Sequence, residues 1–117
     1  MLPVRDVERT ARWYSEVLGF RAHLFPGAPP YVFAVLVRDE VEVMLQAVPA
    51  ETATTAAEAG AYLRMNGVVA LHRQLVEAGQ VAIAEPLSRR PYGDTEFAIR
   101  DPDGHLLVFS ELIPGRG

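Results

Sequence analysis

The stretch Thr95-Glu96-Phe97-Ala98-Ile99-Arg100-Asp101-Pro102-Asp103-Gly104-His105-Leu106-Leu107-Val108-Phe109-Ser110-Glu111 reads as two strands joined by a tight turn. Asp101-Pro102-Asp103-Gly104 is the turn: proline fixes φ at one central position, aspartate tolerates the next, and glycine accepts the positive φ that ends it. Working backwards, residues 85–93 form a loop with Pro86, Arg89, Arg90 and Pro91, and Val81 to Ala84 form a strand. Before these, Val68, Leu71, Leu75 and Ala78 make a helical stripe, with Asn66 as N-cap and Gly79 as its stop. Ala61 to Met65 is a short strand leading into that helix.

The same unit occurs once more, earlier in the chain. Asp6 is the N-cap of a helix whose apolar residues Val7, Ala11, Tyr14 and Leu18 recur at helical spacing, and Gly19 ends it. Phe20 to Phe25 reads as a strand, Pro26 to Pro30 as a loop, and Tyr31 to Val37 with Val41 to Gln46 as a hairpin turning at Arg38-Asp39-Glu40. Asp6 falls on Asn66 and Pro26 on Pro86, an offset of 60 residues. The expected organisation is one domain over 1–117, with repeat 1 at about 1–48, an alanine-rich linker at about 49–60 carrying at most a helical turn, and repeat 2 at about 61–113. Its class is α+β: two βαβββ repeats form a cupped eight-stranded mixed sheet with helices outside, and the cup is where a ligand should sit.

Composition narrows the function classes. The chain has 117 residues, 11 Lys and Arg against 15 Asp and Glu, and 50% apolar residues, the profile of one globular domain. It has no cysteine, which removes thiol nucleophiles, disulfides and thiolate metal sites. A net charge of −4 argues against a general nucleic-acid binder. The first residues reach charge too soon for a signal peptide, and no apolar run is of membrane-spanning length, so a cytoplasmic protein with no membrane partner is expected. There is no phosphate-cradling glycine loop, nucleophile elbow or His-Glu zinc helix, and Ser15, Ser88 and Ser110 have no neighbouring base in sequence.

Val4-Arg5-Asp6 leading to Trp13-Tyr14 and Leu18-Gly19-Phe20, together with Pro91-Tyr92-Gly93 and Phe97 through His105, resemble the vicinal oxygen chelate superfamily. That group includes glyoxalase I, bleomycin-resistance proteins, fosfomycin-resistance enzymes and extradiol dioxygenases. The resemblance implies a divalent metal held by His, Gln or Glu from the first and last strand of each module. Carried onto this chain, those positions are Val108, a site near Gly60 or Ala61, Met44, and one that would precede Met1. None of these is a ligand. The resemblance is therefore to the metal-free bleomycin-resistance-like branch, which implies no cofactor, a bound but untransformed ligand, and a homodimer with grooves between subunits.

Period-two alternation assigns the faces. Leu106, Val108 and Ser110 point into the cup while Leu107 and Phe109 face the helices. Ala61, Leu63 and Met65 suit the helix side, which turns Tyr62 and Arg64 inward. Met44 and Gln46 line the cavity with Glu42 near its rim, and Glu96, Ala98 and Arg100 join them. Tyr31 and Tyr92 lie in or after proline-containing loops, where a ring can close a cavity mouth. The expected ligand-binding set is thus Tyr31, Met44, Gln46, Tyr62, Arg64, Tyr92, Glu96, Val108 and Ser110, with Arg64 and Glu96 as a pair that orients a polar ligand. Trp13 and Tyr14 are expected in packing, and the adjacent Arg89 and Arg90 in solvent.

The function expected on these grounds is a metal-free small-molecule-binding protein, sequestering an antibiotic or another bulky, partly aromatic ligand. The alternative is a divalent-metal-dependent lyase or isomerase of the glyoxalase type, using ligands in another register such as His23, Glu42, Glu96 or Glu111. A third reading is an interaction or immunity module whose cup is filled by its own side chains.

Overall fold

Asp6 adopts extended backbone and its carboxylate accepts the Arg9 N–H at 3.1 Å, which starts helix α1, Val7–Leu18. Gly19 stops it in the left-handed conformation at φ 73°. The computed structural model describes residues 2–49 and 60–112. Helix α1 follows a three-residue strand, β1 (Leu2–Val4), and precedes β2 (Arg21–Phe25), β3 (Phe33–Arg38) and β4 (Val41–Ala47). The second unit repeats this order: β5 (Gly60–Arg64), α2 (Val68–Ala78), β6 (Ile83–Arg89), β7 (Asp94–Arg100) and β8 (Leu106–Leu112). The expected α+β class and both βαβββ repeats are present. The expected linker falls almost wholly at 50–59, outside the described residues.

The eight strands of the expected cupped mixed sheet are arranged as two four-stranded sheets, β1-β4-β3-β2 and β5-β8-β7-β6. In each, the first strand runs parallel to the last and the other pairings are antiparallel. Alternation buries one face of each sheet under its helix. Ala34, Leu36, Val43 and Leu45 lie under α1, and Leu63, Phe97, Ile99, Leu107 and Phe109 under α2. The rings of Phe97 and Phe109 stack at 5.2 Å, and the half-buried His72 on α2 packs edge-on against Phe97.

Three local readings shift. Strand β6 runs through Pro86, where a loop was expected; it is an edge strand with two register irregularities, the setting in which a ladder tolerates proline. Helix α2 is capped at Gly67, not Asn66. Gly67 sits at φ 79°, and the Glu111 carboxylate accepts the N–H groups of Gly67 and Val68 at 3.1 and 3.0 Å. A side chain from β8 thus supplies what a capping side chain on the helix would. Finally, Tyr31 precedes β3 and packs against the core, where a ring closing a cavity mouth was expected.

The Asp101-Pro102-Asp103-Gly104 turn forms as expected, with Gly104 at φ 87° and its N–H donating to the Asp101 carbonyl at 2.9 Å. It also joins the two units. Tyr14 Oη donates to Asp101 at 2.8 Å, Thr10 Oγ1 donates to Asp103 at 2.7 Å, and the His105 ring lies 2.6 Å from the Pro3 carbonyl. Tyr14, Thr10 and His105 are all fully buried.

Candidate functional site

With one face of each sheet under a helix, the other face is left for function. On the second sheet the ladder places Arg64, Ser110 and Glu96 in one row across β5, β8 and β7, and Tyr62, Val108 and Ala98 in the next. Asp94 lies two residues before Glu96 on the same face. The β6–β7 turn is tight: the Arg90 N–H donates to the Asp94 carbonyl at 2.7 Å, and Gly93 has φ 99°. That turn carries Arg90 and Tyr92 back over the sheet.

These side chains converge on Glu96, which is only 3% exposed. Its carboxylate accepts from the Tyr62 hydroxyl, from the Tyr92 hydroxyl at 2.7 Å and from Arg90 Nε at 3.1 Å. Ser110 Oγ bridges it to the equally buried Asp94, lying 3.3 Å from Glu96 and donating to Asp94 at 2.7 Å. Arg64 reaches Asp94 with two contacts of 3.0 Å. Burial alone would push the Glu96 carboxyl up, but the hydrogen bonds from Tyr62, Tyr92, Arg90 and Ser110 together hold it below its usual value. The bond to Glu96, then contact with Tyr62 and burial, push the Tyr92 phenol up. The site is therefore a carboxylate held toward its charged form and roofed by two tyrosines that stand 54% and 62% exposed.

Six of the nine expected ligand-binding residues share this face: Tyr62, Arg64, Tyr92, Glu96, Val108 and Ser110. Met44 and Gln46 occupy the open face of the first sheet instead, opposite Val35 and Phe33. The expected Arg64–Glu96 pair does not form: Arg64 takes Asp94, and Glu96 takes Arg90. Asp94 was missed, although alternation from Glu96 puts it on the same face. Arg90, expected in solvent, was hidden because its return depends on the β6–β7 turn. A separate concavity of about 350 Å³ lies where the β3–β4 turn meets the end of β5, with Asp39, Glu40, Arg64 and Glu111 in its wall.

The metal positions implied by resemblance fare as their residue types suggest. Val108 and Met44 stand on open faces and offer neither oxygen nor nitrogen, and Gly60 is packed so closely on β8 that an added Cβ would meet the Leu106 carbonyl oxygen at 2.2 Å. The alternative set does not gather. His23 and Glu42 are exposed on the first sheet, Glu96 is on the second, and Glu111 caps α2. Among the described residues no three His, Asp or Glu side chains stand together to hold an ion.

A family profile described as the Glyoxalase/Bleomycin resistance protein/Dioxygenase superfamily matches residues 1–109. The chain belongs to this superfamily. Among curated proteins none matches. Solved structures from the superfamily's fold do. TioX from Micromonospora sp. ML1 aligns with a TM-score of 0.78 at 22% identity, covering 99% of this chain and 95% of that one. A bleomycin resistance determinant encoded on the transposon Tn5 aligns with a TM-score of 0.76 at 26% identity, covering 94% and 92%. A bleomycin-binding protein from bleomycin-producing Streptomyces verticillus, complexed with copper(II)-bleomycin, aligns with a TM-score of 0.73 at 24% identity, covering 92% and 88%. Among the described residues no helix is long and apolar enough to cross a membrane.

Proposed function

We propose that this chain is a cytoplasmic small-molecule-binding protein that sequesters its ligand, an antibiotic or a similarly bulky and partly aromatic compound, without a metal and without transforming it. The observation that carries the reading is the Glu96 cluster. Where a superfamily enzyme would need converging ion ligands, this sheet has Val108 near a carboxylate already satisfied by two phenols and a guanidinium. A carboxylate with its lone pairs so occupied is a poor general base and a poor ion ligand, whereas the exposed rings above it suit stacking and shape recognition. Likeness to the Tn5 resistance determinant supports the same direction.

The working unit is a homodimer. Each chain leaves two open sheet faces of unlike composition, one with Phe33, Val35 and Met44 set among Gln46, Glu42 and His23, the other with Tyr62, Tyr92 and Glu96. A second copy that lays the first against the second encloses a ligand between unlike walls. Calorimetric titration with metal-free bleomycin and with flat aromatic drugs tests the reading. Binding that is lost in Tyr62→Ala and Tyr92→Ala supports it; a ligand consumed and released as a product overturns it.

A further inference from the structure

Charge on the open face of the second sheet is sorted by depth. The acids lie underneath, Asp94 and Glu96 being 2% and 3% exposed, each held by an arginine. The cation beside Asp94 lies on top, for the Arg64 side chain is 58% exposed. Its guanidinium meets Asp94 end-on, with Nη1 3.0 Å from one carboxylate oxygen and Nη2 donating to the other at 3.0 Å. A guanidinium carries five N–H donors, and among the described residues those not facing Asp94 meet no acceptor. One side edge of the fork, Nε–H beside an Nη–H, is therefore free for a second carboxylate in the parallel two-bond geometry that arginine favours. Asp94, fixed in turn by Ser110 at 2.7 Å, holds that edge in place before any ligand arrives. Arg90 is less available: it is 36% exposed, bound to Glu96 and 3.5 Å from Glu85. The concavity that Arg64 shares with Asp39, Glu40 and Glu111 repels an anion, which leaves the side of Tyr62. Tyr62, more than half exposed, projects from the same face two residues earlier, about 6.7 Å along β5.

We propose that this face takes a flat aromatic ligand bearing a carboxylate. The ligand's ring lies against Tyr62, and its carboxylate accepts two hydrogen bonds from the free edge of Arg64. The inference rests on the ligand-binding reading above and adds the sign of the ligand's charge. A neutral amide of the same shape offers that edge one oxygen and no charge. An amidinium brings only donors and a positive charge to a guanidinium, which accepts nothing.

Three probes of one shape test it: naphthalene-2-carboxylate, naphthalene-2-carboxamide and naphthalene-2-carboxamidine, each titrated calorimetrically into the full chain. The carboxylate is expected to bind about tenfold tighter than the amide, with the amidine weakest. Arg64→Gln is expected to shrink the preference for carboxylate over amide to about twofold or less. Arg64→Lys, which keeps the charge and loses the fork, is expected to retain about threefold. Should Arg64→Gln leave Asp94 too poorly paired for the chain to fold, Arg64→Lys carries the test. A merely structural role for Arg64 would weaken all three probes alike and leave their ratios unchanged. Equal binding of carboxylate and amide, tightest binding of the amidine, or a carboxylate preference that the folded Arg64 variants keep in full overturns the inference and leaves the ligand-binding reading standing. Failure of all three probes, in a chain whose melting temperature other flat drugs raise, does the same. Failure of every small molecule tried overturns both.

Discussion

Tyr14 on the first helix donates its hydroxyl to Asp101 in the last turn, 87 residues away and fully buried. This bond, with Thr10 to Asp103 beside it, ties the first repeat to the second. Tyr14→Phe leaves Asp101 buried with one donor fewer, and is expected to cost about 1–3 kcal/mol in urea denaturation. Both halves should still unfold in a single transition.

The two buried acids pull stability in opposite directions with pH. Glu96 has its folded pKa below the ordinary 4.5, so its contribution is present in full above that value and is lost as pH falls on through the lower folded value. Asp101, raised above 3.8 by burial and only partly offset by the Tyr14 bond and the backbone N–H groups of His105 and Asp103, favours the folded state most when protonated and loses that contribution as pH rises. Glu96→Gln is expected to flatten the acid limb of melting temperature against pH, and Asp101→Asn to steepen it.

Glu111 caps a helix from a neighbouring strand. Glu111→Ala leaves the first N–H groups of α2 without that acceptor and is expected to cost about 0.5–2 kcal/mol, read by thermal unfolding. Glu111→Gln, which keeps an acceptor, should cost less. A metal-ligand role for Glu111 would instead show as lost metal affinity with stability unchanged.

Gly60 permits the close approach of β5 to β8. Gly60→Ala places a methyl against the Leu106 carbonyl oxygen, a backbone atom with little freedom to retreat, and is expected to cost about 1–3 kcal/mol. Hydrogen exchange should localise the loosening to β5.

Much of this architecture was legible because it depends on local rules. Asp6, Gly19 and Gly79 mark helix ends by residue type, Asp101 to Gly104 mark a turn, and alternation in β5, β7 and β8 gives the faces of Tyr62, Glu96 and Val108. What was hidden depends on returning chain. The Glu111 cap and the Arg90–Glu96 pair arise from contacts between separate elements. Pro86 in β6 misled because its edge position is a property of the sheet, not of the strand.

The central claim, that a small molecule is bound here without a metal, is tested most directly by thermal shift on chain stripped with a chelator, across a ligand panel with and without added divalent ions. A bound ligand at a hundredfold its Kd stabilises by about 2.7 kcal/mol, on the order of 10 °C for a chain of this size. The account predicts a rise of that kind in the stripped protein, unchanged by added ion. A rise that appears only once a divalent ion is supplied would contradict it.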